Sequence, residues 1–222
     1  LGESFDISRD AEITMEVNPG TVTGEKAAAW RQCGVNRLSI GLQSADDREL
    51  EMLGRIHTFR EFMDTWETVR KAGFCNVNVD LISAIPGQTE ESWEHTLRTV
   101  AELGPEHLSA YSLIIEEGTP FYEKYGSRDN DRHTAGALPL PDEDTERQIY
   151  QMTGEILETY GYHRYEISNY AKQGYECRHN LGYWDRKQYL GLGLVAASLV
   201  EEQRFHNTAC LLYTSPSPRD CS

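Results

Sequence analysis

The stretch NVNVDLISAIPGQTEESW, residues 76–93, decides the fold class of this chain. Polar and apolar residues alternate over its first six positions, which is the period of a β-strand with one polar and one apolar face. Pro86 and Gly87 end the strand, and an amphipathic helix is predicted from about Thr89. If this helix packs on the valine face, the asparagines and Asp80 point into whatever the sheet encloses. A sheet that encloses polar side chains is expected to hold a ligand or water.

Three further strands are predicted over residues 12–18, 37–43 and 107–113, and the first two repeat the alternation of polar and apolar residues. Helices are predicted between the strands, so the two alternate four times, as in parallel βαβ units. Parallel strands covered by helices on both sides are usually apolar on both faces. A closed or partly closed α/β barrel explains the difference, because its polar face lines a lumen. The alternative is a two-layer sheet with one solvated face, which parallel sheets seldom have.

Composition and charge exclude several classes of partner. The chain has 222 residues and a net charge of -15. Proteins that bind nucleic acids or anionic membranes carry clustered lysines and arginines, so the negative charge argues against both partners. The expected ligand is therefore a small molecule, and no apolar run reaches the roughly 18 residues of a membrane span. The five cysteines are scattered without a CxxC pair, which predicts a cytoplasmic location. The chain starts at Leu1 and not at a methionine, so it is expected to begin inside a longer protein.

Four side chains fall at or just after the ends of successive predicted strands, namely Glu16, Gln43, Arg55 and Asp80. In a parallel barrel these strand ends carry the working groups. A carboxylate suits ribose hydroxyls or an ammonium group, an amide suits a hydroxyl or a base edge, and a guanidinium grips a carboxylate. The set predicts a site for a nucleoside with an amino-acid tail. Each residue alone is more often a surface or salt-bridge group, so the prediction depends on their joint placement.

Six motifs carry a resemblance to a known family. They are EVNPGT, RLSIGLQS, LGRIHT, NVDLISAIPGQT, LSAYSLIIEEGTPF and YEISNYAKQGYECRHNLGYW. With them the chain resembles the radical SAM family of oxygen-independent coproporphyrinogen III oxidases. It is more similar to the heme-chaperone branch of that family, the HemW type, than to the oxidase itself. The resemblance covers residues 12 to about 205.

The resemblance implies a fold, a set of cofactors and an activity. The expected fold is a partial (βα)6 radical SAM barrel of the α/β class with a C-terminal α+β extension. Glu16, Gln43, Arg55 and Asp80 match the positions that contact S-adenosylmethionine. In the oxidase, a [4Fe-4S] cluster reductively cleaves this cofactor to a 5′-deoxyadenosyl radical, which takes hydrogen from a propionate side chain. That side chain then loses carbon dioxide to become vinyl.

The CxxxCxxC cluster loop and the Gly-rich cofactor contact of the family are not in the chain, and its cysteines lack the spacing to replace the loop. We therefore expect an internal fragment that lacks the first two barrel units and cannot hold the cluster by itself. Four βα units are expected over residues 1–120. An extension is expected over 121–207, with a long helix at 142–160 and a strand at 162–168. Residues 208–222 are interpreted as a non-native tail.

The segment HNLGYW, residues 179–184, is a second candidate site. An imidazole can be an axial iron ligand, and Tyr183 and Trp184 can pack on a porphyrin face. Members of the heme-chaperone branch carry this pattern, so the resemblance implies heme ligation by His179. The alternative is a histidine that is hydrogen-bonded in a turn above a small aromatic core.

The sequence leaves two functions open. One is a heme chaperone that binds heme and transfers it to an acceptor protein, and the HNLGYW segment favours it. The other is an enzyme, a coproporphyrinogen III dehydrogenase that consumes S-adenosylmethionine. A third interpretation, an unrelated barrel with a polar lumen for another nucleotide, conflicts with the agreement of so many motifs.

Overall fold

The computed structural model describes residues 6–126 and 138–209. The chain forms two compact units, one through Glu176 and one from Cys177 onward. The boundary predicted at residue 120 lies inside the first unit, because later segments join its sheet and its helical layer. Of the tail predicted at 208–222, the residues from 210 onward lie outside the described part of the chain.

The first unit is built on a six-stranded sheet. Its strands are β1 Thr14–Val17, β2 Arg37–Gln43, β3 Val77–Ser83, β4 His107–Ser112, β5 His163–Arg164 and β6 Asn169–Ala171. Strands β1 to β4 are parallel and neighbour one another in chain order. On the far side of β4, β6 pairs antiparallel with β4, and β5 pairs antiparallel with β6. The predicted α/β class with parallel βα units is confirmed.

Helices separate the parallel strands, as the sequence predicts. They are α1 Gly24–Gln32, α2 Asp47–Met52, α3 Phe59–Lys71 and α4 Glu90–Glu102, whereas α5 Pro120–Tyr125 and α6 Glu143–Thr159 follow β4. Thr58 caps α3 in a capping box with Glu61. Gly34 and Gly73 lie in the left-handed backbone region just after α1 and α3, where glycine ends a helix without steric cost. These signals set the helix ends and return the chain to the start of the next strand.

One face of the sheet is apolar and packs against the helices. Its fully buried strand side chains are Leu38, Ile40, Leu42, Val77, Val79, Leu81 and Leu108. Trp66 of α3 and Trp93 of α4 belong to the same core, and the Trp93 indole donates a hydrogen bond to Thr153 of α6 at 2.8 Å. Because successive strand residues point to opposite faces, the polar residues between these side chains face away from the helices.

The prediction of one continuous strand over residues 162–168 is wrong in its extent. β5 and β6 instead form a short hairpin, in which the Tyr165 N–H donates to the Asn169 carbonyl. The Glu166 carboxylate accepts hydrogen bonds from the Ser168 N–H at 2.7 Å and from the Asn169 side-chain amide at 2.6 Å. A side chain that satisfies nearby backbone groups in this way favours a turn over a continued strand.

The second unit contains helix α7 (Arg178–Trp184) and a hairpin of β7 (Ala197–Val200) and β8 (Gln203–His206). Tyr189 pairs with Leu199 in an isolated bridge, which attaches the segment after α7 to this hairpin. Within the described ranges of both units, no helix has the length and apolar character needed to cross a membrane.

Candidate functional site

The strand register arranges the polar face of the sheet in two rows. The first row is Glu16, Ser39, Asn78 and His107, from β1 to β4. The second row is Gly41, Asp80, Ser109 and Asn169, from β2, β3, β4 and β6. Neighbouring strands lie about 4.8 Å apart, so side chains of one row can form hydrogen bonds across the sheet.

Asp80 has both of its carboxylate oxygens held by neutral donors. The Ser39 hydroxyl donates to Oδ2 at 2.8 Å, and the Asn78 amide donates to Oδ1 at 2.7 Å. Among the residues that the structure describes, no lysine or arginine forms an ion pair with this carboxylate. The negative charge is thus oriented without being neutralised, which suits a ligand that brings hydroxyl or ammonium groups.

A buried histidine continues the network to β4. Nδ1 of His107 lies 2.6 Å from Oδ1 of Asn78, and Nε2 lies 2.7 Å from the Tyr165 hydroxyl. Burial lowers the pKa of His107 from 6.5 to about 3, with a smaller contribution from the charge of Arg37. The imidazole is therefore neutral near neutral pH.

Ser109 and Asn169 extend the network to β6. The Ser109 hydroxyl lies 3.1 Å from Oδ1 of Asn78 and 2.7 Å from Oδ1 of Asn169. Tyr111 follows Ser109 on the same face of β4, and burial raises the pKa of Tyr111, with a further increase from the Asp80 charge. The polar face is thus a connected set of hydrogen-bonding groups around Asp80.

The sequence prediction missed several members of this network, among them His107, Ser109 and Asn169. The first two had a usable signal, because polar and apolar residues alternate in β4 as they do in β3. Asn169 had none, since it reaches this face through an antiparallel pairing that a repeating βα pattern does not predict.

Gln43, at the carboxyl end of β2, has a strained backbone. Its φ of 78° lies in the left-handed region, which costs a residue other than glycine roughly 1 kcal/mol or more. The register shifts between Gly41 and Gln43, and such a bulge re-aims a side chain. A Cβ on Gly41 would lie 2.9 Å from Nε2 of Gln43 and 3.6 Å from Oδ1 of Asn18. Glycine at position 41 therefore leaves room for the Gln43 amide over the strand, in the register row of Asp80.

The remaining predicted residues differ in placement. Glu16 is exposed on the same face, and its carboxylate has no hydrogen bond or ion pair to a described residue. Arg55 lies exposed in the connection between α2 and α3, and its guanidinium is equally unpaired within the described ranges. The structure thus brings Glu16, Gln43 and Asp80 to one face, with no contact that joins Arg55 to them.

His179 lies on helix α7, where its side chain is exposed. Its ring meets the ring of Tyr183, one turn further on, edge-to-face with centroids 4.7 Å apart. Tyr183 in turn contacts Tyr189 at 4.9 Å, and a small cavity of about 190 Å³ adjoins these side chains. Trp184 is about 140° around the helix from His179, so Tyr183 and not Trp184 shares the face of the imidazole.

The chain is similar in sequence and backbone to one group of known proteins. Residues 3–100 match the family model of the radical SAM superfamily. The chain is 39% identical to the heme chaperone HemW of Bacillus subtilis, over 93% of the chain and 52% of the relative. It is 41% identical to the heme chaperone HemW of Escherichia coli, over 84% of the chain and 46% of the relative. The solved structure of the coproporphyrinogen III oxidase HemN from Escherichia coli, a radical SAM enzyme, matches 95% of the chain and 49% of that protein, with a TM-score of 0.74 and 26% identity.

The superfamily implies S-adenosylmethionine and a [4Fe-4S] cluster, and the described residues fit these two groups differently. A nucleoside with an amino-acid tail needs hydrogen-bond donors and acceptors. The polar face offers them in the oriented carboxylate of Asp80, the amide of Gln43 and the unpaired carboxylate of Glu16. Iron-sulfur clusters are held by cysteine thiolates. Within residues 6–126 and 138–209, no group of three or more metal-ligating side chains is present, and Cys177 is buried. The described part of the chain thus fits contacts to S-adenosylmethionine and does not fit the cluster.

The chain spans about half the length of the curated relatives that it matches. Over that half, both the backbone and the sequence match one group of proteins. The chain belongs to the HemN/HemW family of radical SAM proteins.

Proposed function

We propose that this chain is part of a heme chaperone, which binds heme and transfers it to an acceptor protein. The observation that carries the proposal is the identity of 36% to 41% with HemW heme chaperones, over 84% to 93% of the chain. Because the chain spans about half of these relatives, the proposal concerns the whole protein. Scattered cysteines and a net charge of -15 support a cytoplasmic location and a small-molecule ligand instead of nucleic acid.

His179 is the heme ligand in this proposal. Its side chain is exposed, and its ring nitrogens make no hydrogen bond within the described residues, so a nitrogen is available to iron. Tyr183 lies beside it and can pack on the macrocycle. The adjoining cavity of about 190 Å³ is smaller than the roughly 300 to 1,000 Å³ of typical ligand pockets. The cavity is therefore too small to enclose a porphyrin, and the exposed face of α7 that carries His179 would have to hold it.

The polar sheet face is the S-adenosylmethionine site in the same proposal. Asp80 and Glu16 accept hydrogen bonds from hydroxyl or ammonium groups, and the Gln43 amide can pair with a base edge or a hydroxyl. Arg55, on its exposed connection, is free to pair with the carboxylate of the amino-acid tail. When it is bound beside a reduced [4Fe-4S] cluster, this cofactor supplies radical chemistry, and the residues of this chain hold and orient it.

A coproporphyrinogen III dehydrogenase is the alternative function. The structural match to HemN over 95% of the chain favours it, because the fold of the enzyme is preserved. The two functions differ in their products. Anaerobic incubation of the full-length protein with coproporphyrinogen III, S-adenosylmethionine and a reductant yields no protoporphyrinogen if the protein is only a chaperone. Formation of that product would establish the dehydrogenase.

Replacement of His179 by alanine is expected to remove most of the Soret shift that follows heme addition to the full-length protein. Without the imidazole the protein would lack its proposed iron ligand, and only packing on Tyr183 and its neighbours would be left to hold the heme. The measurement is a spectrophotometric heme titration of both proteins.

The matched control for this titration is His95→Ala. His95 is an exposed histidine on α4, in the other compact unit, so its loss should leave the titration unchanged. A His179→Ala protein that titrates like the wild type would remove His179 from the heme site.

A further inference from the structure

The orientation of the Asn78 amide follows from its neighbour. The Asp80 carboxylate can only accept hydrogen bonds, so the Asn78 atom 2.7 Å from Oδ1 is the amide nitrogen. The same nitrogen lies 2.7 Å from the Ser39 hydroxyl oxygen. A side-chain amide has two protons, and each of these two contacts uses one of them. The choice between amide oxygen and nitrogen, which ordinarily has to be inferred from the network, is therefore fixed at this residue.

Ser39 closes a ring of three hydrogen bonds. Its hydroxyl oxygen accepts from Asn78, and its single proton points to Oδ2 of Asp80 at 2.8 Å. Asn78 thus donates to Ser39 and Asp80, and Ser39 donates to Asp80. Each carboxylate oxygen thus accepts one hydrogen bond, and its remaining acceptor capacity is left for a ligand.

His107 holds the opposite end of Asn78. The Asn78 amide oxygen is only an acceptor, so Nδ1 of His107, 2.6 Å away, carries the ring proton. Nε2 is then the acceptor for the Tyr165 hydroxyl at 2.7 Å. Burial keeps the ring neutral, since the pKa of His107 is about 3, so a single tautomer satisfies both contacts.

We infer that Ser39 and Asn78 are positioning residues, which aim the Asp80 carboxylate at its ligand, and that the Nδ1-protonated tautomer of His107 fixes Asn78 for this task. The inference deepens the proposed S-adenosylmethionine site and depends on it. A carboxylate that is oriented before binding loses less rotational freedom when the ligand arrives, which raises affinity. Neutral donors achieve this orientation without the charge of a lysine or arginine, which would compete with the ammonium or hydroxyl groups of the ligand.

Ser39→Ala and Ser39→Thr test the role of the hydroxyl. The alanine variant is expected to weaken S-adenosylmethionine binding by about fivefold to tenfold, less than the loss of Asp80 itself, because it leaves the carboxylate in place and removes only one of the two hydrogen bonds that orient it. The threonine variant keeps the hydroxyl and should recover most of the affinity. Ser83→Ala is the matched control, because Ser83 is a buried serine of β3 that donates to the Tyr111 carbonyl and not to Asp80. Calorimetry on the full-length, anaerobically purified protein gives the dissociation constants.

A double-mutant cycle separates positioning from general damage to the site. If Ser39 acts through Asp80, Ser39→Ala has no further effect on affinity once Asp80 is alanine. An additive loss of affinity in the double variant would overturn the inference. Binding that depends on Asp80 and not on Ser39 would also overturn it, whereas a wild type without any S-adenosylmethionine binding would overturn the proposed site as well.

The tautomer of His107 can be tested on the wild-type protein alone. ¹⁵N NMR distinguishes a protonated from an unprotonated ring nitrogen, and His107 should show the proton on Nδ1 throughout the neutral pH range. A spectrum with the proton on Nε2, or a mixture of both tautomers, would contradict the fixed orientation of Asn78. This measurement needs no variant and no bound cofactor.

Discussion

A change from pH 7 to pH 5 is expected to lower the free energy of unfolding by about 2 kcal/mol through His107 alone. The pKa of this histidine is about 3 in the folded protein, compared with 6.5 as its ordinary value. Between these two values the unfolded chain binds a proton that the folded chain does not bind. Stability is therefore complete above about pH 6.5 and is lost progressively as the pH falls toward 3.

Urea unfolding at pH 7, 6 and 5 measures this dependence in the wild type and in His107→Gln. Glutamine does not titrate, so the variant should lose about 2 kcal/mol less than the wild type over this range. Its stability at pH 7 will be lower, because Asn78 and Tyr165 lose a hydrogen-bond partner, so the slopes and not the absolute values are compared. His95→Gln, at an exposed site, should keep the wild-type slope. Equal slopes in the wild type and His107→Gln would contradict the buried neutral histidine.

Asp80→Ala is expected to weaken S-adenosylmethionine binding roughly 10- to 100-fold, the range for loss of hydrogen bonds to a charged group. The variant removes the oriented carboxylate and also leaves the Ser39 and Asn78 donors without their acceptor. Calorimetry on the full-length anaerobic protein measures the change.

Asp64→Ala provides the control for a lost aspartate charge. Asp64 is exposed on α3, away from the polar face, so its removal should leave the affinity within about twofold of the wild type. Unaltered affinity in Asp80→Ala would refute the assignment of this residue to the cofactor site.

The fold was predictable because its signals are local. Each of these signals acts over a few residues. They are the alternation of polar and apolar residues in β1, β2 and β3, the Thr58 capping box, and the glycines Gly34 and Gly73 that end helices. The hairpin of β5 and β6 was not predictable in this way. Its turn depends on Glu166, whose carboxylate satisfies the Ser168 N–H, and its place in the sheet depends on pairing with a strand more than fifty residues earlier.

The candidate site was predictable only where residues stand at the ends of predicted strands. Gln43 and Asp80 were identified from position and chemistry, with the resemblance assigning them to one cofactor. The contacts of Asp80 with Ser39 and Asn78, and through Asn78 with His107, depend on the register of the strands. The sequence does not reveal that register. The left-handed backbone of Gln43 and its amide over Gly41 are likewise properties of the folded bulge.

In the proposed function, the sheet face holds the nucleoside cofactor and helix α7 holds the porphyrin. A heme chaperone and a dehydrogenase differ in the fate of the tetrapyrrole. A chaperone must release its heme intact to another protein, whereas an enzyme must change the side chains of its substrate.

Transfer of heme to an apo-protein tests whether the full-length protein is a heme chaperone. The full-length protein is loaded with one equivalent of heme, freed of excess heme and mixed with the apo form of a heme protein, and the Soret band of the acceptor is followed. We expect the loaded protein to give its heme to the acceptor, and His179→Ala, which retains little heme, to give almost none. A wild-type protein that cannot be loaded, or that keeps its heme in the presence of the acceptor, would contradict the assignment as a heme chaperone.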